Sequence, residues 1–214
     1  MKHAAFVRVA LTIANIVAVA GVARAQQDQG VKQVEALVKA SGNTVQAISQ
    51  TKTQLMKTMD VYNALMADVA ADRKKLYKDL QKEMDNTEKR RAEITTRGGA
   101  MTIEAETLFK GWETSAAAIE SASLRKKSEE RLRQTKAAYA EIGSVGQKAA
   151  QLYQPVMKTL ADQVKYLGHD LNPEGVASLK PDAEKLNQEV QRLGKAIDDT
   201  IATTNTKIDA IRPQ

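Results

Sequence analysis

Histidine is the side chain that moves protons near neutral pH, and this chain has two, His3 and His169. His3 lies in an N-terminal segment that reads as removable, which leaves His169. As a general base it needs a nucleophile or a ligand within reach. The chain has no cysteine, so thiol catalysis, cysteine metal sites and the lipid-bearing cysteine of a bacterial lipoprotein are excluded. One histidine without cysteine cannot build an ordinary zinc centre, and no Glu-x-x-His pair is present for a di-iron bundle. Near a helix C-terminus the charged imidazole is favoured by the dipole and can cap carbonyls, and that is the role expected of His169. Asp162 and Gln163 precede it by about two helical turns, too far for direct bonding along one helix. They are expected to line the polar edge of a hairpin.

Cations form the other candidate. Arg125, Lys126, Lys127, Arg131, Arg133 and Lys136 make the densest basic patch, and Lys89, Arg90 and Arg91 a second. Such clusters can meet anionic headgroups or acidic polymers. Against that, Glu129, Glu130 and Glu88 sit at helical neighbour positions and can neutralise them. Trp112, the single tryptophan, shares a stripe with Leu108 and Ala116 and is expected to anchor a core. No phosphate-cradling glycine loop, haem-attachment motif or serine elbow occurs. The seven methionines are dispersed, which argues against a copper cluster. No catalytic, metal or cofactor-binding residue is therefore assigned, and no cofactor is expected.

The elements that must position these residues are helices. Val31, Val34, Val38, Ser41, Val45, Ile48, Lys52, Leu55, Met59, Tyr62, Met66 and Val69 follow the steps of a heptad. Lys52 on that stripe either sets register or snorkels outward. The spacing continues through Leu76, Leu80 and Ile94, with Arg73, Glu83, Thr87 and Arg90 as poor intervening positions. Two readings compete: one very long helix, or a turn near Ala67–Asp72 with Asp72 capping a second helix. Gly98-Gly99 is a local weak point. Ser121-Ala122-Ser123 reads as a stop and cap, and Asn172-Pro173 as a cap followed by a first-turn proline. Pro155 is expected to kink its helix, and Pro181 either kinks the last helix or marks its start.

Aromatic residues are only 4% of the chain and prolines number four, a composition suited to interlocking helices. The expected fold is all-α: an elongated antiparallel bundle of about four long coiled-coil-like helices over 29–66, 72–120, 123–170 and 174–211.

Lys2, His3 and Arg8, an apolar run from Val9 to Val22 and Ala23-Arg24-Ala25 compose a secretory signal, with cleavage expected before Gln26. The run of roughly 14 residues is short of the ~20 that span a bilayer. Residues 26–214 then form one domain with no transmembrane segment. Cleavage removes three basic residues and no acid, lowering the net charge from +6 to +3. Export and that small imbalance argue against nucleic acid. The partners in reach are another protein or an anionic envelope surface, and the expected location is the periplasm.

A resemblance covers Leu108 to Leu179. It is carried by Leu108-Phe109 with Trp112-Glu113, Ser121 to Arg125 with Ser128-Glu129, Leu132, Thr135 and Tyr139. It continues through Pro155-Val156, Asp162-Gln163-Val164, His169, Leu171-Asn172 and Ala177-Ser178-Leu179, the block from Asp162 onward being the most distinctive. In these residues the chain resembles the bacterial domain-of-unknown-function family 2959. The likeness persists more weakly over Asp72 to Glu106 and is one of character alone in the first helix. It implies a secreted, all-helical envelope protein with no assigned activity. Relatives carry a glycine-rich turn where this chain has Asp68 to Ala71, which favours a break there. They pass the Gly98-Gly99 region without glycines, which favours a continuous helix. Two departures stand out: many relatives look like lipoproteins and this chain has no cysteine to acylate, and Pro181 sits where relatives continue a helix. Function is expected to be non-enzymatic, structural or interactive. A holdase chaperone for exported proteins is the alternative, and a helical pore-former is a weaker third.

Overall fold

The computed structural model describes residues 4–67 and 72–212, with side chains described from residue 29 onward. Four helices follow one another: α1 (Ala4–Met66), α2 (Arg73–Ala117), α3 (Ala122–Leu167) and α4 (Pro173–Asp209). At about 1.5 Å per residue, the 45 residues of α2 give a rod of ~68 Å. The expected all-α bundle is what the chain forms.

Each start after α1 has a side-chain cap satisfying amides that the first turn leaves unpaired. Asp72 accepts from the Lys75 amide (2.9 Å), Ser121 from Leu124 (3.5 Å) and Asn172 from Gly175 (2.8 Å), with Pro173 opening α4. The break between α1 and α2 falls where the resemblance put it, although residues 68–71 themselves lie outside the described residues. Gly98 and Gly99 stay inside α2. Pro181 does not start α4 but lies within it, as Pro155 lies within α3. Each removes one backbone donor, and the packed apolar face on both sides holds its helix together. The largest boundary correction is at the N-terminus: α1 begins at Ala4 rather than near residue 29. No proline interrupts the chain before Pro155, and each of the glycines Gly21, Gly30 and Gly42 costs the helix only about 1 kcal/mol.

The helices run up, down, up and down, and each packs on two neighbours: α1 on α2 and α4, and α3 on α2 and α4. Register between α1 and α4 is set by Lys52 to Asp198 (2.6 Å) and by reciprocal amides of Asn63 and Asn187 (2.9 and 3.1 Å). Lys52 therefore neither snorkels into water alone nor sits in the core; it bridges two helices. The seam between α3 and α4 carries Lys207–Glu141 (2.5 Å) and Thr200 donating to the Val145 carbonyl (3.2 Å). The seam between α2 and α3 is the loosest of the four.

Two apolar cores result. The larger joins Leu55, Met59, Tyr62 and Leu65 of α1 to Leu80, to Tyr153–Leu167 and to Val176–Ile197. The smaller joins Leu37, Ala40, Met101, Ala105, Leu108, Ile142 and Ile208. Between them α1 turns Ser41, Thr44, Ala47 and Thr51 inward, and α4 turns Thr200 and Thr204. These hydroxyls donate to carbonyls four residues back in their own helices, so burial leaves their donors satisfied. Over residues 37–51 the buried face of α1 is thus centred one residue earlier than the expected stripe, where small side chains face inward, whereas from Leu55 to Met66 the stripe positions Leu55, Met59, Tyr62 and Met66 are buried as expected. On α3, Leu124 is 57% exposed and departs from its expected inward position.

Candidate functional site

The six cations of the densest patch cluster at the α2–α3 turn, and the structure divides them by task. Arg125 folds back over the turn, its Nε donating to the Ile119 carbonyl (2.9 Å) and Nη2 to Glu120 (3.4 Å), in place of amide donors the turn lacks. Arg133 grips Glu130 with two nitrogens (2.7–3.1 Å). The Arg133 hydrogen bonds first, and that from Gln134 second, hold the Glu130 carboxyl below its ordinary range, while the Glu130 hydrogen bonds and then its charge raise the guanidinium. Lys136 reaches across to Glu113 of α2 (2.5 Å) and lies 5.6 Å from the Phe109 ring centre, a cation on an aromatic face. Lys126, Lys127 and Arg131 are exposed and form no ion pair with a described residue. Half of the patch is consumed by local structure, and half remains available.

Arg131 stands on the wall of a groove of about 600 Å³ with Val31, Val34, Leu108, Trp112 and Ile211. Gly111 leaves room there for the end of the Gln33 side chain, whose amide oxygen lies 2.6 Å from where a Cβ would stand and would have to swing aside for one. Trp112 is half-buried rather than a full core anchor. Its indole N–H donates to Ser128 Oγ (2.9 Å) and pins α2 to α3. In the second basic patch, Arg90 pairs with Glu93 (3.1 Å), and Arg91 with Glu88 (3.1 Å) while lying 5.7 Å over the Tyr153 ring.

The most perturbed groups lie elsewhere, inside the helix seams. Glu83 of α2 faces α1, where it accepts from Gln54 (2.7 Å) and pairs with Lys57 (2.9 Å); Asn86 of its own helix donates at 3.3 Å. Those contacts hold its carboxyl at about 2, the Lys57 bond contributing most. One turn on, Thr58 and Thr87 share a hydrogen bond across the same seam (2.8 Å), both fully buried. Tyr62 donates to the Gln163 amide oxygen across the bundle diagonal from α1 to α3, and burial pushes its phenol well above the ordinary value. Tyr153 donates to Glu88 (3.0 Å), and burial raises its phenol first, the Glu88 charge second.

Gln163 is therefore buried in the core, a correction to the polar edge expected of it; Asp162 beside it is exposed. His169 is exposed, and its backbone amide donates to Tyr166 (3.0 Å), whereas the imidazole makes no hydrogen bond to a described residue. The C-terminus of α3 is closed by backbone bonds from Gly168 and Asp170 instead of the imidazole cap. Glu83 and Thr87 fall on inward positions of the heptad steps, although their polarity argues against burial. Gln54 and Thr58, one helix away, carried no such signal. Among the described residues no group of three or more His, Asp or Glu side chains is arranged to hold a metal ion, and no helix is long and apolar enough to cross a membrane.

What this arrangement does well is lock four rods together and leave a partly basic tip. The family model "Protein of unknown function (DUF2959)" matches residues 23–211, nearly the whole chain, and the protein belongs to that family. No curated protein and no solved structure matches the chain.

Proposed function

We propose that the protein is exported to the periplasm and serves there, without catalysing a reaction, as a helical structural or interaction protein of the cell envelope. The observation that carries this reading is where the perturbed groups sit. Glu83 and Tyr62 are each tied to a side chain on another helix inside a seam, and Tyr153, whose ring borders a cavity between the helices, has its hydroxyl taken up by Glu88, whereas catalytic groups with shifted acidity gather around a cleft and stay free to react. Export is supported by the basic start, apolar run and Ala23-Arg24-Ala25 of the N-terminus. Lys126, Lys127 and Arg131 are the cations left for a protein partner or an anionic surface.

The test is crosslinking in living cells followed by mass spectrometry of envelope fractions, together with the N-terminal mass of the cellular protein. The expected result is a chain beginning at Gln26 and a small recurring set of envelope partners. A broad mixture of exported clients would instead mark a holdase. Turnover of a small molecule by the purified protein, lost on His169→Ala, would refute the non-enzymatic reading.

A further inference from the structure

Between the two cores lies a cavity of about 190 Å³, open on one side, to which all four helices contribute. Its walls are Ile48 of α1, Ile94 of α2, Ala149 and the Tyr153 ring of α3, and Leu193 and Ile197 of α4. The space exists because one layer is underfilled. Where a bundle layer ordinarily receives a large side chain from every helix, α3 supplies Gly146, Ala149 and Ala150. Glycine at 146 is not there to let helices touch, since a Cβ at that position meets nothing within 4 Å.

The buried polar atoms in the wall are already engaged. Thr51 donates to the Ala47 carbonyl (2.8 Å), Thr200 to Ala196 (2.8 Å), and the Tyr153 hydroxyl to Glu88 (3.0 Å). A water molecule needs two to four polar partners to settle in such a space, and these walls present mainly methyl groups and a ring. The opening lies on the loose α2–α3 side, between exposed Thr95, Ala150 and Gln154, with Arg91 at its edge. Arg91 is held by Glu88 and by the Tyr153 face, so the mouth has no unpaired charge calling for an ionic guest.

We propose that this cavity is a binding site for a compact apolar group, of the size of one aromatic ring or the end of an alkyl chain. The volume sets the class: an apolar space of about 150 Å³ in another protein takes up benzene, and this one is slightly larger. A longer chain must leave its remainder outside, between α2 and α3. The site is independent of the tip cations and of the envelope role.

The experiment is titration of the purified protein with toluene and, separately, 1-octanol, read by isoleucine-methyl NMR and by thermal unfolding. The methyls of Ile48, Ile94 and Ile197 shift saturably, while those of Ile119 and Ile208, outside the cavity, stay in place. At ten times the dissociation constant the midpoint rises by about 3–6 °C. Ala149→Leu fills the space and abolishes the shift in midpoint. Toluene binding alone identifies a ring site, octanol binding alone a chain-end site, and either supports the proposal. It is overturned if neither probe moves the three methyls, if all isoleucines respond alike, or if the midpoint of Ala149→Leu rises as much as that of the natural protein. Should that variant fail to fold, the methyl titration of the natural protein decides alone.

Discussion

Replacing Glu83 by glutamine removes one charge from the α1–α2 seam and leaves a side chain of the same shape. The carboxyl is held at about 2 against an ordinary 4.5, and a shift of that size corresponds to at most ~3 kcal/mol of folding free energy. Its main partner, Lys57, is 60% exposed, so solvent screens the pair. The interior bond from Gln54 survives better. The expected loss for Glu83→Gln is about 1–2 kcal/mol at pH 7, or roughly 3–6 °C in midpoint for a chain of this length. The sign fixes the pH dependence. A carboxyl whose acidity is strengthened by folding stabilises the native state fully above pH 4.5, and that stability is lost as pH falls through about 2. Urea unfolding followed by circular dichroism, at steps from pH 7 to pH 2, therefore shows two curves that converge toward the acid end. Other carboxyls titrate equally in both proteins and cancel from the difference. A gap that stays constant over that range, or no gap at neutral pH, refutes the assignment of Glu83 as an ionised tie between helices.

Tyr62→Phe leaves the buried Gln163 amide oxygen without its donor and is expected to cost about 1–3 kcal/mol; adding Gln163→Leu recovers much of that loss in the same denaturant assay. Because folding keeps the phenols of Tyr62 and Tyr153 neutral, their contribution is complete below pH 10. Thermal midpoints should decline as pH rises above 10, and less steeply in Tyr62→Phe. Gly98→Ala, Gly99→Ala and Gly143→Ala each meet open space within a helix, so each should raise stability by up to ~1 kcal/mol, measured by urea midpoint. Gly175→Ala should do the reverse, since its Cβ would strike the Asp170 carbonyl in the α3–α4 turn.

Much of this molecule can be read from its residues in order. The recurrence of apolar positions in steps of three and four, the scarcity of proline and the capping types at Asp72, Ser121 and Asn172 suffice for four helices and their turns. Those signals are local: each depends on residues within one or two turns of chain. Even polar Glu83 and Thr87 kept the step that places them inward. The same local logic placed the basic patch, because neighbours along one helix reveal both its charges and part of its neutralisation.

Pairings between helices belong to the tertiary structure alone. Nothing near Gln163 in the chain announces Tyr62, which lies 101 residues away, and nothing near Lys52 announces Asp198. The threonine-lined face of α1 gives no signal in the sequence, because side-chain size becomes informative only once the distance to α2 is fixed. An underfilled layer is likewise a property of four helices at one height: Gly146 and Ala149 are unremarkable in α3 and leave a space only opposite Thr51 and Ile197. Periodicity is a one-dimensional signal and dictates which way each helix faces; which residues meet, and what gap they leave, is settled by how the rods slide against one another.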